Sequence, residues 1–533
     1  MSAGSYDGII LGTGHNALIL QAYLSRCGLK TISLDRAEVP GGGLSTIENP
    51  RVPGVFHNPH SFFHRAVTAM PWYRDLELEP QGARYVEPEL NVAMIHSDGR
   101  SLQWWTDLER TVDSFAAFSK HDAAKLKQWA EEFRPIVENI LIPEAQCPPL
   151  PAELRRELLE RSPDGRRLLE IQELSPIEFV IREFQNDAVR AGLLFFNGLR
   201  EVDLRLPGFG HAIPSLLASP HKAQMCLGGA AELARALVKD IESHGGAIRC
   251  DIELKRIIVE SGRASGIELA SGERIRSNGF VASGLNPQQT FLQYLPESET
   301  SADLRSKAEA FQYNLLAPLF GLHLVTDEPP EYADTQLNHA LMTIVGLDSV
   351  EQFHQIVTAH EQGKLPPTVA WGSCPTRFDP SQASEGRHTS FLWEKLPYHL
   401  NNNPQSWKQK RDQHGARLLE KWTHYAPNLT SDNILDQFCL SPLDTEITLP
   451  NMQNGDLLVG SFANDQVGYN RPFPGAGKYR TPIPGLYLCG GSTHPGGNIT
   501  GLCGYNAARI IATDTDKQVW WNPPDIESHL ADR

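Results

Sequence analysis

The sequence predicts an α/β protein built around a discontinuous Rossmann-like domain, with a second, α+β domain interleaved into it. A buried strand at the N-terminus runs into a glycine-rich turn and a helix, and a second strand, turn and helix of this kind lies near the C-terminus. This order of elements is typical of dinucleotide-binding folds. Because both ends of the chain carry it, the domain is expected to be assembled from distant stretches.

Composition limits the classes of function. The chain has 533 residues, of which 41% are hydrophobic and 21% charged, as in well-packed globular proteins. Its 48 basic and 64 acidic residues give a formal charge of -16, so we predict no nucleic-acid partner. The eight cysteines are scattered without a CxxC pair, and the N-terminus lacks a basic, apolar leader. We therefore predict a cytoplasmic protein, either free or peripheral at a membrane.

The N-terminal motif begins with a predicted buried strand, Tyr6 to Leu11. The turn that follows matches G-x-G-x-x-A and comprises Gly12, Thr13, Gly14, His15, Asn16 and Ala17. Its glycines allow a tight turn and close backbone approach to a pyrophosphate, and Ala17 is small enough for helix and strand to pack. The predicted helix ends at Gly28, and the next strand, Lys30 to Leu34, leads to Asp35, which is placed to accept hydrogen bonds from a ribose.

A second glycine-rich turn follows within a few residues. It has the spacing R-x4-G-G-x3-T and contains Arg36, Gly41, Gly42, Gly43 and Thr46. Backbone N–H groups in such a turn are available to the phosphates or polar chain of an extended cofactor.

The C-terminal motif is the most specific stretch of the chain. A predicted strand, Leu486 to Cys489, precedes a glycine-rich turn, and a helix begins near Gly501. The positive end of a helix suits the anionic edge of a bound cofactor. The turn supplies the candidate ligands Gly490, Gly491, Gly497, Asn498, Ile499 and Thr500.

Together these motifs resemble the two-dinucleotide-binding flavoproteins of the phytoene desaturase-like family, within the amine oxidase superfamily. The resemblance implies FAD as the cofactor. It implies an FAD-binding domain formed by 1–70, 220–300 and 450–533, and a substrate-binding domain formed by 71–219 and 301–449. Within the second domain, about 107–200 is predicted to be helical.

The central part of the predicted FAD-binding domain contains a helix and two strands. Gly228 to Gly246 predicts an amphipathic helix, and the strands are Glu253 to Glu260 and Ala264 to Leu269. By the resemblance, Ile257 or Ile258 is expected near the adenine, although packing in the core accounts for both equally well.

The resemblance also implies hydride transfer from a mostly apolar substrate to flavin N5. Our candidates for handling the paired proton are His494, His60 and Tyr505, and His494 is equally well explained as a residue that shapes the turn before Pro495. His60 and His64 are spaced to share one face of a helix, as zinc ligands do. Because no third ligand or carboxylate base accompanies them in a recognisable motif, we predict no metal site.

Three further segments have two interpretations each. Thr111 to Phe133 predicts one helix, stopped by Pro135. The arginine-rich run at 154–167 is either a solvated helix face, which we favour, or a contact with an anionic membrane. Arg471 is placed to hold an oxygen of the substrate or cofactor, or a carboxylate.

Three hypotheses for function remain open at this stage. The first is a desaturase, dehydrogenase or oxidase whose flavin is reoxidised by oxygen or a quinone-like acceptor. The second is a redox-neutral isomerase or a saturase with the same parts. The third is a non-catalytic binding protein on a flavin fold, against which the intact glycine motifs argue. The sequence leaves the oligomeric state open.

Overall fold

The computed structural model describes residues 5–196, 202–463 and 466–532, so the remaining positions of the predicted domain ranges lie outside the described residues. The strands are β1 Ser5–Leu11, β2 Thr31–Leu34, β3 Ile47–Glu48, β4 Phe56–His57, β5 Phe63–Arg65, β6 Tyr85–Val86, β7 Leu90–Ile95, β8 Ser101–Trp105, β9 Ala223–Cys226, β10 Ala247–Arg249, β11 Leu254–Glu260, β12 Arg263–Leu269, β13 Arg274–Ser283, β14 Leu319–Thr326, β15 Met342–Val345, β16 Ala370–Ser373, β17 His388–Lys395, β18 Ile434–Leu440 and β19 Leu486–Leu488.

Some helices pack on the two main sheets, and others form a separate helical region. They are α1 His15–Arg26, α2 Pro71–Asp75, α3 Leu108–Ala116, α4 Lys120–Ile136, α5 Ile142–Ala145, α6 Ala152–Leu159, α7 Pro163–Gln172, α8 Pro176–Glu183, α9 Asp187–Phe196, α10 Ala212–Ala218, α11 Ala231–Ser243, α12 Ala302–Glu309, α13 Glu351–Glu361, α14 Trp407–Thr423, α15 Pro442–Thr448, α16 Leu502–Asp514 and α17 Ile526–Ala531. Among the described residues, no helix is both long enough and apolar enough to cross a membrane.

The first main sheet is a mostly parallel, seven-stranded sheet in the order β10-β2-β1-β13-β12-β11, with β19 beside β13. Ile9, Ile10 and Leu11 of β1 are buried, as expected of a parallel strand covered on both faces. Helices α1 and α16 pack together on one face of this sheet. The sheet therefore gathers strands from both ends and the middle of the chain.

The second main sheet has seven strands in the order β18-β14-β17-β16-β15-β7-β8. All neighbours are antiparallel except β15 and β7. Phe391, Trp393 and Lys395 of β17 alternate with residues that face the other way, and Trp371 of β16 lies opposite Trp393. These aromatic side chains form one face of the sheet. The smaller sheets are β3-β4 and β5-β9-β6.

The two main sheets draw their strands from alternating stretches of the chain. The first takes them from 5–34, 247–283 and 486–488, and the second from 90–105 and 319–440. This mixed α/β architecture agrees with the predicted fold class, and the exact domain boundaries stay a prediction.

The region predicted to be helical contains α3 to α9, but Pro135 does not stop the helix as predicted. The predicted single helix is instead two, because Ser119 caps the start of α4 by accepting a hydrogen bond from the Asp122 N–H. Pro135 lies within α4, and the chain continues directly into a π-helical turn, Val137–Leu141. Proline cannot donate to the helical ladder, and a widened turn is one way to accommodate it.

The other predicted elements of the first sheet are confirmed to within a few residues. Gly28 has a φ of +78°, and the N–H of Leu29 donates to the carbonyl oxygen of Leu24 at the end of α1. This is the glycine-terminated helix end that the sequence predicted.

Close packing of α1 against α16 requires a glycine at position 504. A Cβ on Gly504 would overlap the carbonyl oxygen of Asn16. We expect Gly504→Ala to lower the free energy of unfolding by about 1–3 kcal/mol, as overpacking usually does. Urea unfolding followed by circular dichroism measures this, and Thr513→Ala, an exposed change on the same helix, should stay within about 0.5 kcal/mol of wild type. Equal losses of stability in the two variants would contradict the close packing of α1 against α16 at Gly504.

Candidate cofactor and substrate site

A long cavity opens at the carboxyl ends of the parallel strands β1, β2 and β13. Its empty volume is about 2140 Å³, part of which is open to solvent. Leu11 and Leu34, the last residues of β1 and β2, line it together with Gly284, which follows β13. Ligands of open α/β sheets bind in this position.

Most of the predicted cofactor-binding residues lie together in the wall of this cavity. Those that line it are Gly12, Gly14, His15, Asn16, Ala17, Asp35, Arg36, Gly42, Gly43, Gly490, Gly491, Gly497, Asn498, Ile499 and Thr500. Gly41, Thr46 and Ile257 do not line it. The fold thus brings residues nearly 500 positions apart to one site.

The two N-terminal glycine turns pack against each other, backbone to backbone. Gly12 has a φ of +93° and Gly42 a φ of +56°, conformations that residues with side chains rarely adopt. A Cβ on Gly42 would lie 3.2 Å from the Cα of Gly14, the N-cap of α1. Gly41 donates its N–H to the carbonyl oxygen of Thr13 at 3.0 Å, so it joins the two turns from outside the cavity wall.

Asp35 is fixed at one end of the cavity by hydrogen bonds to its carboxylate. Thr13 donates both its backbone N–H and its hydroxyl to Asp35 Oδ2, each at 2.7 Å, and Ala37 donates its N–H to Oδ1 at 2.9 Å. The carboxylate also lines the cavity, where a ribose hydroxyl could reach it.

The apolar surface beside Asp35 comes from residues other than Ile257. Ile257 of β11 is fully buried in a hydrophobic cluster with residues of β1, β12 and β13, so its side chain packs there and does not line the cavity. Ile252, Leu254 and Leu269 line this end in its place.

The C-terminal motif is tied to the first segments of the chain. Trp72 donates its indole N–H to the carbonyl oxygen of Thr500 at 2.6 Å, and His15 Nε2 lies 3.0 Å from the carbonyl oxygen of Asn498. Gly501, the N-cap of α16, has a φ of +67°, and Trp72 and Ile19 leave no room there for a side chain.

Arg471 holds backbone, not a substrate, a cofactor or a carboxylate as we expected. Its buried guanidinium donates to the carbonyl oxygens of Gly460, Ser461, Gln466, Gly491 and Thr493 at 2.6–3.3 Å. Burial lowers its pKa to about 10, so it remains protonated at neutral pH. One side chain thereby connects the C-terminal motif to the loop before it, whose residues Leu457 to Val459 also line the cavity.

The other end of the cavity is apolar and aromatic. It is lined by Phe62, Phe63, Leu319, Trp371 and Trp393, together with the charged Lys395. The centroids of the Trp371 and Trp393 rings are 6.1 Å apart at nearly perpendicular planes, and Phe391 packs behind Trp393 at 4.3 Å. Such a surface favours apolar ligands and excludes water.

Of the three candidates for proton handling, only His60 lines the cavity. His494 points away from it: its Nε2 lies 3.0 Å from the carbonyl oxygen of Glu144 in the helical region. Tyr505 packs edge-on against Tyr23 in the core beneath α1. Both were suggested by their place in the motif, but turn geometry and helix packing direct their rings elsewhere.

Thr46, another predicted cofactor ligand, instead connects two segments of the protein. Its hydroxyl donates to Asn58 Oδ1 at 2.9 Å and accepts the N–H of Ala231 at 3.1 Å. These bonds connect the second glycine turn to the start of α11 and leave Thr46 outside the cavity wall.

His60 and His64 do not share a helix, because His60 precedes β5 and His64 lies on it. Both line the cavity together with His15. Burial lowers the pKa of His15 and His60 to about 4, and that of His64 to about 3, with His15 adding to the shift. All three imidazoles are therefore neutral at pH 7.

The arginines of the basic run are engaged within the protein. Arg155 forms an ion pair with Glu144 at 2.5 Å, Arg161 with Glu157 at 2.6 Å, and Arg167 with Glu132 at 2.6 Å. This pattern is that of a solvated, internally paired helix face.

Sequence reasoning missed the residues that the second sheet contributes. Trp371, Trp393 and Lys395 lie on strands that look like ordinary buried core, and only the pairing of β16 with β17 brings them to the cavity. Trp393 and Lys395 alternate along β17 with residues of the opposite face, a pattern that indicates a strand with two different faces. The pattern does not indicate which face lies against the glycine motifs.

Comparisons with known proteins extend over nearly the whole chain. A limonene dehydrogenase component from Castellaniella defragrans is 29% identical over 539 residues, covering 97% of this chain and 96% of the relative. Pyridine nucleotide-disulfide oxidoreductase domain-containing protein 2 of Rattus norvegicus is 26% identical and covers 96% and 94%. Phytoene desaturase (lycopene-forming) of Pseudescherichia vulneris is 22% identical and covers 93% and 96%. No family model matches the chain.

Solved structures share the fold at low sequence identity. Cyclohexylamine oxidase from Brevibacterium oxydans aligns with a TM-score of 0.61 at 14% identity, covering 96% of this chain and all of that one. Putrescine oxidase aligns with a TM-score of 0.58 at 12% identity, covering 96% and 99%.

The fold, the cavity and these relatives define the class of protein, which is an FAD-dependent oxidoreductase of the desaturase and dehydrogenase type. Within that class, the chain is similar over most of its length to a limonene dehydrogenase component and to a phytoene desaturase, in agreement with the resemblance of its motifs.

The role of Arg471 gives a stability prediction. We expect Arg471→Met to lower the free energy of unfolding by roughly 3 kcal/mol or more, because buried carbonyl groups lose their charged donor. Urea unfolding measures the change. The control is Arg161→Met. This substitution removes an exposed ion pair with Glu157 and should lower the free energy of unfolding by no more than about 1 kcal/mol. Similar losses in the two variants would contradict the assigned role.

The buried histidines give a pH prediction. Their pKa values are lower in the folded than in the unfolded state, so the unfolded state binds more protons between about pH 4 and 6.5. The contribution of these histidines to the free energy of unfolding should be fully present above pH 6.5, and it should decrease as the pH falls through this window. The residues concerned are His15, His57, His60, His64, His211, His360 and His494.

Urea unfolding at pH 7.5 and 5 tests this prediction. In His494→Gln the loss of stability between the two values should be smaller by about 2 kcal/mol, since one titrating group is removed. His424→Gln, at an exposed position, should leave the loss unchanged. An undiminished loss in His494→Gln would contradict the assignment.

Proposed function

We propose that the protein binds FAD in this cavity and uses it to remove hydrogen from a compact, apolar small molecule. The observation that carries the proposal is the division of the cavity between two kinds of surface. One end has glycine turns and a helix N-terminus, and the other has apolar and aromatic side chains. In this proposal the first sheet and its helices form the FAD-binding domain, and the second sheet and the helical region form the substrate-binding domain.

The residues present fit FAD. The close backbone approach at Gly14 and Gly42 leaves a cradle without side chains, where N–H groups at the start of α1 would hold the diphosphate. Asp35 would accept hydrogen bonds from the hydroxyl groups of the adenosine ribose, and Ile252 and Leu254 would contact the adenine. Residues 497–500 and the start of α16 would hold the flavin ring. When bound, FAD supplies a hydride acceptor.

The second sheet would bind the substrate. Trp371, Trp393 and Phe62 offer apolar contacts and exclude water from the site of reaction. His60 is our candidate for accepting the proton that leaves with the hydride, because its imidazole lies in the cavity wall and its buried Nδ1 has no hydrogen-bond partner among the described residues.

The names of two relatives suggest the chemical class of the substrate. One names limonene and another phytoene. Asn498, Ile499 and Thr500 add bulk to the cavity wall, which favours a compact substrate over one of carotenoid length. We therefore propose a small hydrocarbon and take limonene as the first compound to test.

The remaining parts of the proposal concern the cellular setting. Oxygen or a quinone-like acceptor would reoxidise the flavin. The protein would be cytoplasmic, either free or peripheral at a membrane. A redox-neutral isomerase or saturase is the alternative outcome of the experiment that follows.

Anaerobic mixing of the FAD-loaded protein with limonene tests the function. We expect loss of the flavin absorbance near 450 nm, as in other flavoproteins upon two-electron reduction. Product formation without an acceptor and without net bleaching would indicate the isomerase or saturase instead. Protein that purifies colourless and takes up no FAD would overturn both enzymatic hypotheses.

Two neighbouring glycines provide a matched test of the cofactor cradle. We expect Gly42→Ala to weaken FAD binding at least tenfold, or about 1.4 kcal/mol, because its φ is +56° and the new methyl group meets the backbone of Gly14. In Gly43→Ala the methyl group meets only the flexible end of Met452, at 3.1 Å, so binding should change little. Fluorescence titration of the apoprotein with FAD measures both, and equal weakening would contradict the geometry.

A further inference from the structure

His64 is a buried histidine in the wall of the large cavity, and its two ring nitrogens have different surroundings. The residue lies on β5 and is 1% exposed. Its Nδ1 is 2.7 Å from the hydroxyl oxygen of Tyr85 on β6, whereas its Nε2 is buried and has no hydrogen-bond partner among the described residues. Buried polar atoms are nearly always hydrogen-bonded in native proteins. A ligand of the cavity is therefore the partner that Nε2 lacks.

The surroundings of Tyr85 decide which nitrogen of His64 carries the hydrogen. Burial raises the pKa of Tyr85 well above 10, so its hydroxyl is protonated and able to donate. Burial lowers the pKa of His64 to about 3, so its neutral ring has one N–H and one lone pair. Cys226 lies opposite Tyr85 across β6 and β9, but a thiol sulfur accepts hydrogen bonds only weakly. Tyr85 therefore donates to His64 Nδ1, which leaves the hydrogen on Nε2.

His64 lies at the end of the cavity where the flavin ring is expected. Tyr85 is not part of the cavity wall, so the bond to it turns Nδ1 away from the cavity and leaves Nε2 for an occupant. His15 is close enough to contribute to the lowered pKa of His64, and its own Nε2 lies 3.0 Å from the carbonyl oxygen of Asn498. Asn498 is one of the residues 497–500 that would hold the flavin ring.

A neutral donor at this position has a chemical consequence. A flavin ring gains negative charge when it accepts a hydride, and a hydrogen-bond donor held in place stabilises such charge where water is excluded. Because His64 is neutral at pH 7, it supplies this donor without the cost of a buried cation.

We propose that His64 donates a hydrogen bond from Nε2 to the flavin ring of bound FAD, and that Tyr85 is the positioning residue that fixes the tautomer of His64. The bond would raise the reduction potential of the flavin. This inference rests on the proposed binding of FAD, but it does not depend on the identity of the substrate.

The reduction potential of the FAD-loaded protein tests the proposal. It is measured by stepwise reduction in equilibrium with a redox dye, without any substrate. In His64→Leu we expect the equilibrium constant for two-electron reduction to fall about tenfold, which corresponds to a decrease of about 30 mV. The control is His360→Leu, which replaces a histidine of α13 that is 3% exposed and does not line the cavity. Its potential should equal that of the wild type.

Two further variants separate the hydrogen bond from packing. Glutamine carries an amide N–H donor near the position of imidazole Nε2, so His64→Gln should keep the equilibrium constant within about threefold of wild type. Tyr85→Phe leaves the imidazole in place but removes the hydroxyl that fixes its tautomer, so the constant should fall less than in His64→Leu. Equal losses in His64→Gln and His64→Leu, or an unchanged potential in His64→Leu, would overturn the proposal.

These measurements also distinguish this proposal from the proposed function. If no hydrocarbon reduces the wild-type flavin, the proposed dehydrogenation fails, while the potentials still decide the role of His64. If His64→Leu weakens only the binding of the substrate, at an unchanged potential, the donor serves the substrate and the proposed bond to the flavin is wrong.

Discussion

Close contact between backbones that are distant in sequence is the constraint on which the rest of the structure depends. Gly42 lies against Gly14, Gly490 against Gly284, and Gly504 against Asn16, and a Cβ at Gly42, Gly490 or Gly504 would meet backbone atoms. These contacts draw the first, middle and last segments of the chain to the ends of one parallel sheet. Without them, neither the cradle nor the orientation of α1 toward it would exist.

Two kinds of interaction then complete the site. Buried polar groups hold the backbone, and Arg471 alone donates to five carbonyl oxygens of the C-terminal motif and of the loop before it. The opposite wall comes from the aromatic face of the second sheet, whose rings pack on one another. The protein thus separates polar recognition from apolar binding along one cavity.

The first sheet was largely predictable because its signals are local. Glycine turns, helix ends such as Gly28 and apolar strands act over a few residues, and their order along the chain indicated the fold class. Pro135 was misjudged because a π-helical turn absorbs it, and His60 and His64 were given a helical spacing although β5 contains only His64. The substrate end was missed because Trp371 and Trp393 acquire their position only through pairing between strands.

The sequence by itself therefore determined the class of fold, the glycine motifs and most of the residues that line the cofactor end of the cavity. Tertiary structure alone decided which side chains face the cavity. It turned His494 to Glu144, Tyr505 into the core and Ile257 away from the adenine end, and it brought Lys395 in from a distant strand. The physical reason is that backbone conformation follows from local sterics, whereas the direction of a side chain depends on what packs against its element.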